Sequence, residues 1–221
     1  LNQYIYDVKP NEVLSNQFIS NDAEFANGLS VKQTSNFPWD GNIHFDITNA
    51  SGKAVQFGIR LPNWSTANYS VTVNGTATQV DAKNGYLYVS ITQPETTIDL
   101  VLDMATKFIR ASNRVSADFG KYAVQRGPIV FCAEETDNDA ALWQYEVSPK
   151  STTHYSFQPD LLEGVGTITV DAKLPQEDED GVGLYTEAAT EQLHDAKLKL
   201  VPYYAWANRE DGTMQVWLNK E

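Results

Sequence analysis

Carboxylates dominate the residues that could do chemistry: 29 Asp and Glu stand against 16 Lys and Arg in 221 residues, a net charge of −13. Paired carboxylates hydrolyse glycosidic bonds, one protonated as acid and the other ionised as base or nucleophile. With so many acids, pairs arise by chance and spacing singles none out. The densest runs, Glu134 to Asp139 and Glu177 to Asp180, are expected to be solvated loops. Calcium is the competing reading for the second run, which has close-set oxygens and a glycine but neither the ordered spacing nor the terminal Glu of a calcium loop.

The single cysteine, Cys132, follows Ile129-Val130-Phe131 with no base or metal motif beside it. It is expected to be a small buried hydrophobe rather than a nucleophile. His44 falls on the polar side of an alternating segment, while His154 and His194 lie in poorly patterned ones, so all three read as surface residues. One cysteine and three distant histidines do not assemble a zinc site of the usual type. Exposed aromatic rings offer a different chemistry, since sugars stack their C–H faces on Trp and Tyr. In Tyr203-Tyr204-Ala205-Trp206, strand alternation would put Tyr204 and Trp206 on one face, which makes them candidate sugar contacts and makes at least one ring of the run core. Trp39 and Asp40 sit in Pro38-Trp39-Asp40-Gly41, a tight turn just before a strand. Either Trp39 caps the end of a core while Asp40 bonds nearby backbone N–H groups, or the pair contacts another domain. Asn-x-Ser/Thr triplets at Asn49, Asn63, Asn68 and Asn74 matter only in a eukaryotic secretory pathway.

The elements that must position these groups are strands. Ile43, Phe45 and Ile47 alternate with His44, Asp46 and Thr48, and Ile98, Leu100 and Leu102 with Asp99 and Asp103. Asn74-Gly75 and Asn84-Gly85 mark tight hairpin turns. Short strands at this spacing predict an all-β protein with a sandwich. Alternation fades near residue 120, where Ile129 to Ala133 is apolar on both faces, and returns near 198. The expected arrangement is therefore two β-sandwich-type domains. Residues 1–118 and 200–221 form a discontinuous first sandwich, and 119–199 a smaller domain inserted before its last strands. No apolar run approaches the roughly 20 residues that span a bilayer, and the negative field repels phosphate backbones and anionic headgroups, so neither membrane nor nucleic acid is expected as a partner. Residues 1 to 20 contain no basic start followed by an apolar core, the pattern of a signal peptide.

Longer strings carry a family likeness: Asn36-Phe37-Pro38-Trp39-Asp40-Gly41, Leu61-Pro62-Asn63-Trp64, Val71-Thr72-Val73-Asn74-Gly75, Gln125-Arg126-Gly127-Pro128-Ile129-Val130-Phe131-Cys132 and Pro202-Tyr203-Tyr204-Ala205-Trp206-Ala207-Asn208-Arg209. Together, from about residue 28 onward, they resemble glycoside hydrolase family 127, the β-L-arabinofuranosidase family. The resemblance implies a chemistry-bearing (α/α)6 barrel followed by β-sandwich domains, of which this chain looks like the sandwiches alone. The family's nucleophilic cysteine and its zinc belong to the barrel, so the likeness implies no catalytic residue, metal or cofactor here, and Cys132 matches a different cysteine of the pattern. The expected role is non-catalytic: bracing the barrel of the parent chain, helping a homodimer assemble, and meeting a plant-type glycan through the parent enzyme. The alternatives are an independent carbohydrate-binding module for arabinose-containing glycans and a purely structural protein–protein module. A bacterial periplasmic or extracellular setting is favoured over the cytoplasm.

Overall fold

The computed structural model describes residues 2–176, 184, 185, 187 and 192–221, and the acidic run Glu177 to Asp180 lies outside them. The described residues are strands joined by turns and short 3-10 segments, in agreement with the all-β expectation. The chain divides into two compact units at Met104/Ala105.

The first unit contains β1 (Tyr6–Lys9), β2 (Glu12–Ser15), β3 (Asn21–Glu24), β4 (Leu29–Ser35), β5 (Asn42–Asn49), β6 (Val55–Arg60), β7 (Tyr69–Val73), β8 (Thr76–Ala77), β9 (Ala82–Lys83), β10 (Tyr86–Ile91) and β11 (Glu95–Leu102). They form a five-stranded sheet ordered β1-β2-β6-β10-β9 and a six-stranded sheet ordered β3-β4-β5-β11-β7-β8. Ile43, Phe45 and Ile47 of β5 turn inward as their alternation requires, towards Val55, Phe57 and Ile59 of β6 in the other sheet. Phe45 and Phe57 meet edge to face with centroids 5.2 Å apart. Asn74 (φ 48°) with Gly75 (φ 75°) and Asn84 (φ 52°) with Gly85 (φ 82°) both adopt the positive φ of a type I′ hairpin, joining β7 to β8 and β9 to β10.

The second unit contains β12 (Thr106–Ile109), β13 (Lys121–Arg126), β14 (Ile129–Glu134), β15 (Glu146–Val147), β16 (Thr153–Gln158), β17 (Val165–Pro175), β18 (Leu193–Pro202), β19 (Met214–Gln215) and β20 (Leu218–Lys220). Following the pairings β13–β14, β14–β18, β18–β17, β17–β15, β15–β20 and β20–β13 returns to the start, so the sheet closes on itself. Strands β12, β16 and β19 hang from β13, β17 and β14. Val124, Phe131, Ile168, Val170, Leu198 and Leu200 fill the interior. The β13–β14 hairpin turns on Gly127-Pro128, with Gly127 at the positive φ (54°) that a II′ loop demands of its first residue.

These pairings correct the expected domain boundaries. Strands β18, β19 and β20 pair with β13, β14, β15 and β17, and the closed sheet needs them. The division is continuous, 1–104 and 105–221, with no insertion. Alternation reports that a strand has one buried face but not which core that face meets, so its return near residue 198 marked the closing strands of the second unit.

Candidate functional site

The segment after β18 carries three exposed rings, Tyr203, Tyr204 and Trp206, and one arm of a buried ion pair, Arg209. Pro202 ends the strand because it has no N–H to offer, and Tyr203–Ala205 forms a 3-10 turn rather than more strand. Only Ala205 points inward, at 6% exposure, while Tyr203, Tyr204 and Trp206 are 46%, 63% and 39% exposed. The expectation that one of these rings would be core assumed strand alternation and does not hold. The two candidates also part company: Trp206 lines a small pocket, whereas Tyr204 lies by Tyr155, its hydroxyl pKa raised by partial burial and by that neighbour. The ring of Tyr155 in turn lies under the Arg126 guanidinium, 3.6 Å from the ring centroid, and occupies the space a side chain at Gly166 would fill.

Two acids of the run expected to be a solvated loop hold this segment in place. The Glu134 side chain is 6% exposed and that of Asp137 8%. The Arg209 guanidinium pairs with Glu134 and reaches both Asp137 oxygens, at 3.0 Å and 2.6 Å. Lys199 Nζ donates to Asp137 at 2.8 Å, and the Ala207 N–H donates to Glu134 Oε1 at 2.9 Å. Burial pushes the Asp137 carboxyl upward, but the hydrogen bonds from Arg209 and Lys199 outweigh it and hold the group below its usual range. The Asn138 amide donates to the carbonyls of Glu134 and Lys199. Glu135 accepts from the backbone and hydroxyl of Thr213, at 2.8 Å and 2.9 Å, which keeps its pKa low. The pocket beside this network, about 130 Å³, is lined by Glu134, Glu135, Trp206, Glu210, Asp211 and Thr213 among others. Sequence reasoning missed Glu134, Asp137 and Arg209 as a set. The available signal was that Glu134 continues directly from a strand apolar on both faces.

The other candidates lie elsewhere. Cys132 is fully buried on β14, and burial foremost, with the Glu134 charge adding, pushes its thiol up to about 12. His44 is on the outer face of β5 between two carboxylates, Nδ1 2.6 Å from Asp99 and Nε2 3.1 Å from Asp46, and the Asp99 hydrogen bond leads in raising its pKa. His154 and His194 are exposed on β16 and β18. The one thiol is thus locked in an apolar strand. No group of three His, Cys, Asp or Glu among the described residues is arranged to hold a metal ion.

Asp40 accepts the Asn42 N–H at 2.9 Å, the turn role weighed for it, and Trp39 is half-buried. The rings packed on the core nearby are Phe37 and Trp64, stacked at 6.4 Å, with Phe37 also edge-on to the buried Phe18 at 5.4 Å. Asn49 is 7% exposed and donates to the carbonyls of Lys53 and Ile91, so that triplet cannot present its amide to a glycan-adding enzyme.

A sandwich in the first unit and a closed sheet in the second, with aromatic residues carried on a loop, define a two-unit all-β protein. Comparison with known proteins gives its family. The pattern of the "Beta-L-arabinofuranosidase, GH127 middle domain" matches residues 12–104, and that of the "Glycoside hydrolase family 127 C-terminal domain" matches residues 106–219. The chain belongs to glycoside hydrolase family 127. A non-reducing end β-L-arabinofuranosidase of Bifidobacterium longum subsp. longum is 44% identical over 98% of this chain, and this chain spans 34% of that protein. Among solved structures, a family 127 β-L-arabinofuranosidase from Geobacillus stearothermophilus T6 superposes with a TM-score of 0.92 at 32% identity, covering 99% of this chain and 35% of its own. A second, a GH127 β-arabinofuranosidase, gives 0.84 at 31% identity, covering 99% of this chain and 36% of its own. The chain thus spans about a third of the length of these relatives, and the boundary between the two matched patterns falls where the two units divide.

Proposed function

We propose that this chain is the non-catalytic β portion of a family 127 enzyme that releases β-L-arabinofuranose, and that it braces the (α/α)6 barrel carrying the chemistry and assists assembly into a dimer. The observation that carries the reading is the match of the family's middle and C-terminal domain patterns, end to end, over a chain whose one cysteine is buried with its thiol pushed up to about 12. A thiol in that state is almost wholly protonated at neutral pH and is no nucleophile. The zinc and nucleophilic cysteine of the parent enzyme then belong to its barrel.

The test is turnover of 4-nitrophenyl β-L-arabinofuranoside by this chain and by the parent protein. The chain alone should release no nitrophenol. The parent should be active and should lose heat stability when residues 105–221 are deleted. Turnover by the isolated chain would overturn the reading. A second reading, an independent module that holds arabinose-containing glycans, is favoured by the exposed Tyr204 and Trp206. It predicts saturable binding of arabino-oligosaccharides with no effect on the parent's stability.

A further inference from the structure

We propose that the pocket beside Trp206 is a subsite for one neutral, polyhydroxylated sugar ring, an inference that rests on the reading of the parent as a glycan-processing enzyme. Size sets the first limit. About 130 Å³ holds roughly four waters at about 30 Å³ each, or a single five- or six-membered ring, and falls below the roughly 300–1,000 Å³ of pockets that enclose larger ligands.

The wall supplies the second argument. Trp206 is 39% exposed, yet the chain on both sides of it is fastened, by buried Ala205 before it and by the Ala207 N–H on Glu134 after it. Asn208 adds hydrogen bonds to the carbonyls of Ala205 and Trp206 at 3.0 Å and 3.2 Å. The backbone that carries the indole is therefore held on both sides, so the loop loses little main-chain freedom on binding, which is what a stacking platform for sugar C–H groups needs.

Charge selects the ligand class. Arg209 is committed to Glu134 and Asp137, so the lining offers Glu135, Glu210 and Asp211 without a free cation. Carboxylates accept strong hydrogen bonds from hydroxyls and repel anions, which favours neutral sugars over uronates and sugar phosphates. No three acids among the described residues converge to hold a metal ion, which sets a cation aside.

The test is calorimetric and fluorescence titration of this chain with methyl β-L-arabinofuranoside and L-arabinose, with D-galacturonate and calcium chloride as controls. A single ring with these few contacts should bind with a Kd on the order of millimolar. Trp206→Ala should weaken it by about tenfold or more, and galacturonate should not compete. Asp211→Asn, at an exposed position, should weaken binding several-fold and serves if Trp206→Ala alters the melting curve. Absence of saturation at about a hundred times that concentration overturns the subsite. So does binding that both variants leave unchanged, or binding of galacturonate or calcium in place of the neutral sugars. These outcomes leave the parent's turnover assay untouched, so failure of the subsite and failure of the parent reading are separate results.

Discussion

Glu134 and Arg209, 75 positions apart, form an ion pair with side chains 6% and 19% exposed. The pair joins the end of β14 to the loop beyond β18, and Asp137 and Lys199 complete it. Removing one partner from a buried pair costs about 3 to 5 kcal/mol because the remaining charge stays buried without compensation. Arg209→Met should therefore lower the stability of the second unit by about 3 kcal/mol or more in urea unfolding. Glu134→Gln keeps a carbonyl oxygen for the Ala207 N–H and should cost less. Equal small losses for both would mean that the network is solvated.

The same network sets a pH dependence. The Asp137 pKa lies below the ordinary 3.8 when folded, so the unfolded chain takes up its proton first as pH falls. Its contribution is complete above about 3.8 and is lost as pH drops through the lower folded value. Denaturation midpoints followed from pH 5 to 2 should show this acid limb in the native sequence, and Asp137→Asn should flatten it. An unchanged limb in the variant would assign the acid sensitivity to other carboxylates.

What could be read from the residues alone was local. Ile43, Phe45 and Ile47 announced a half-buried strand, the two Asn-Gly pairs announced their hairpins, and the apolar flanks of Cys132 announced its burial. What could not be read was long-range. That β18 and β20 close the second sheet depends on partners far back in the chain, and alternation is the same whichever core receives it. The acidic run from Glu134 looked solvated because its compensating Arg209 is absent from the neighbourhood in sequence. In the aromatic run, Pro202 ended the ladder one residue before Tyr203, so the rings project from a 3-10 turn.

Cys132 gives a readout of opening in the second unit. It is fully buried and its pKa is pushed up to about 12, so both access and thiolate formation require the strand to separate from β18, where it faces Val201. A disulfide reagent at pH 8 should label the native protein slowly and the protein in urea at once. Arg209→Met should speed native labelling in proportion to its loss of stability. Native labelling as fast as that of a free thiol would overturn the burial account and revive a reactive role for the residue.

At the other unit, the Pro38-Trp39-Asp40-Gly41 turn was expected to place Trp39 as a cap on the core or as a contact for another domain. Phe37, Trp39 and Trp64 are all half-buried; Phe37 stacks on Trp64 and meets the buried Phe18, and both Phe37 and Trp64 pack against the core. Deleting a well-buried aromatic costs about 3 to 5 kcal/mol, and a partly buried one proportionately less. Phe37→Ala, which removes a ring packed on the core cluster, should destabilise the first unit by about 2 kcal/mol or more, and Trp39→Ala should cost less where Phe37 and Trp64 make the cap. Chemical denaturation of the 221-residue chain measures both. If Trp39→Ala costs as much as Phe37→Ala, Trp39 is a core cap after all. If Trp39→Ala leaves the isolated chain unchanged but lowers the heat stability of the parent enzyme, the indole belongs to a contact with the rest of that protein.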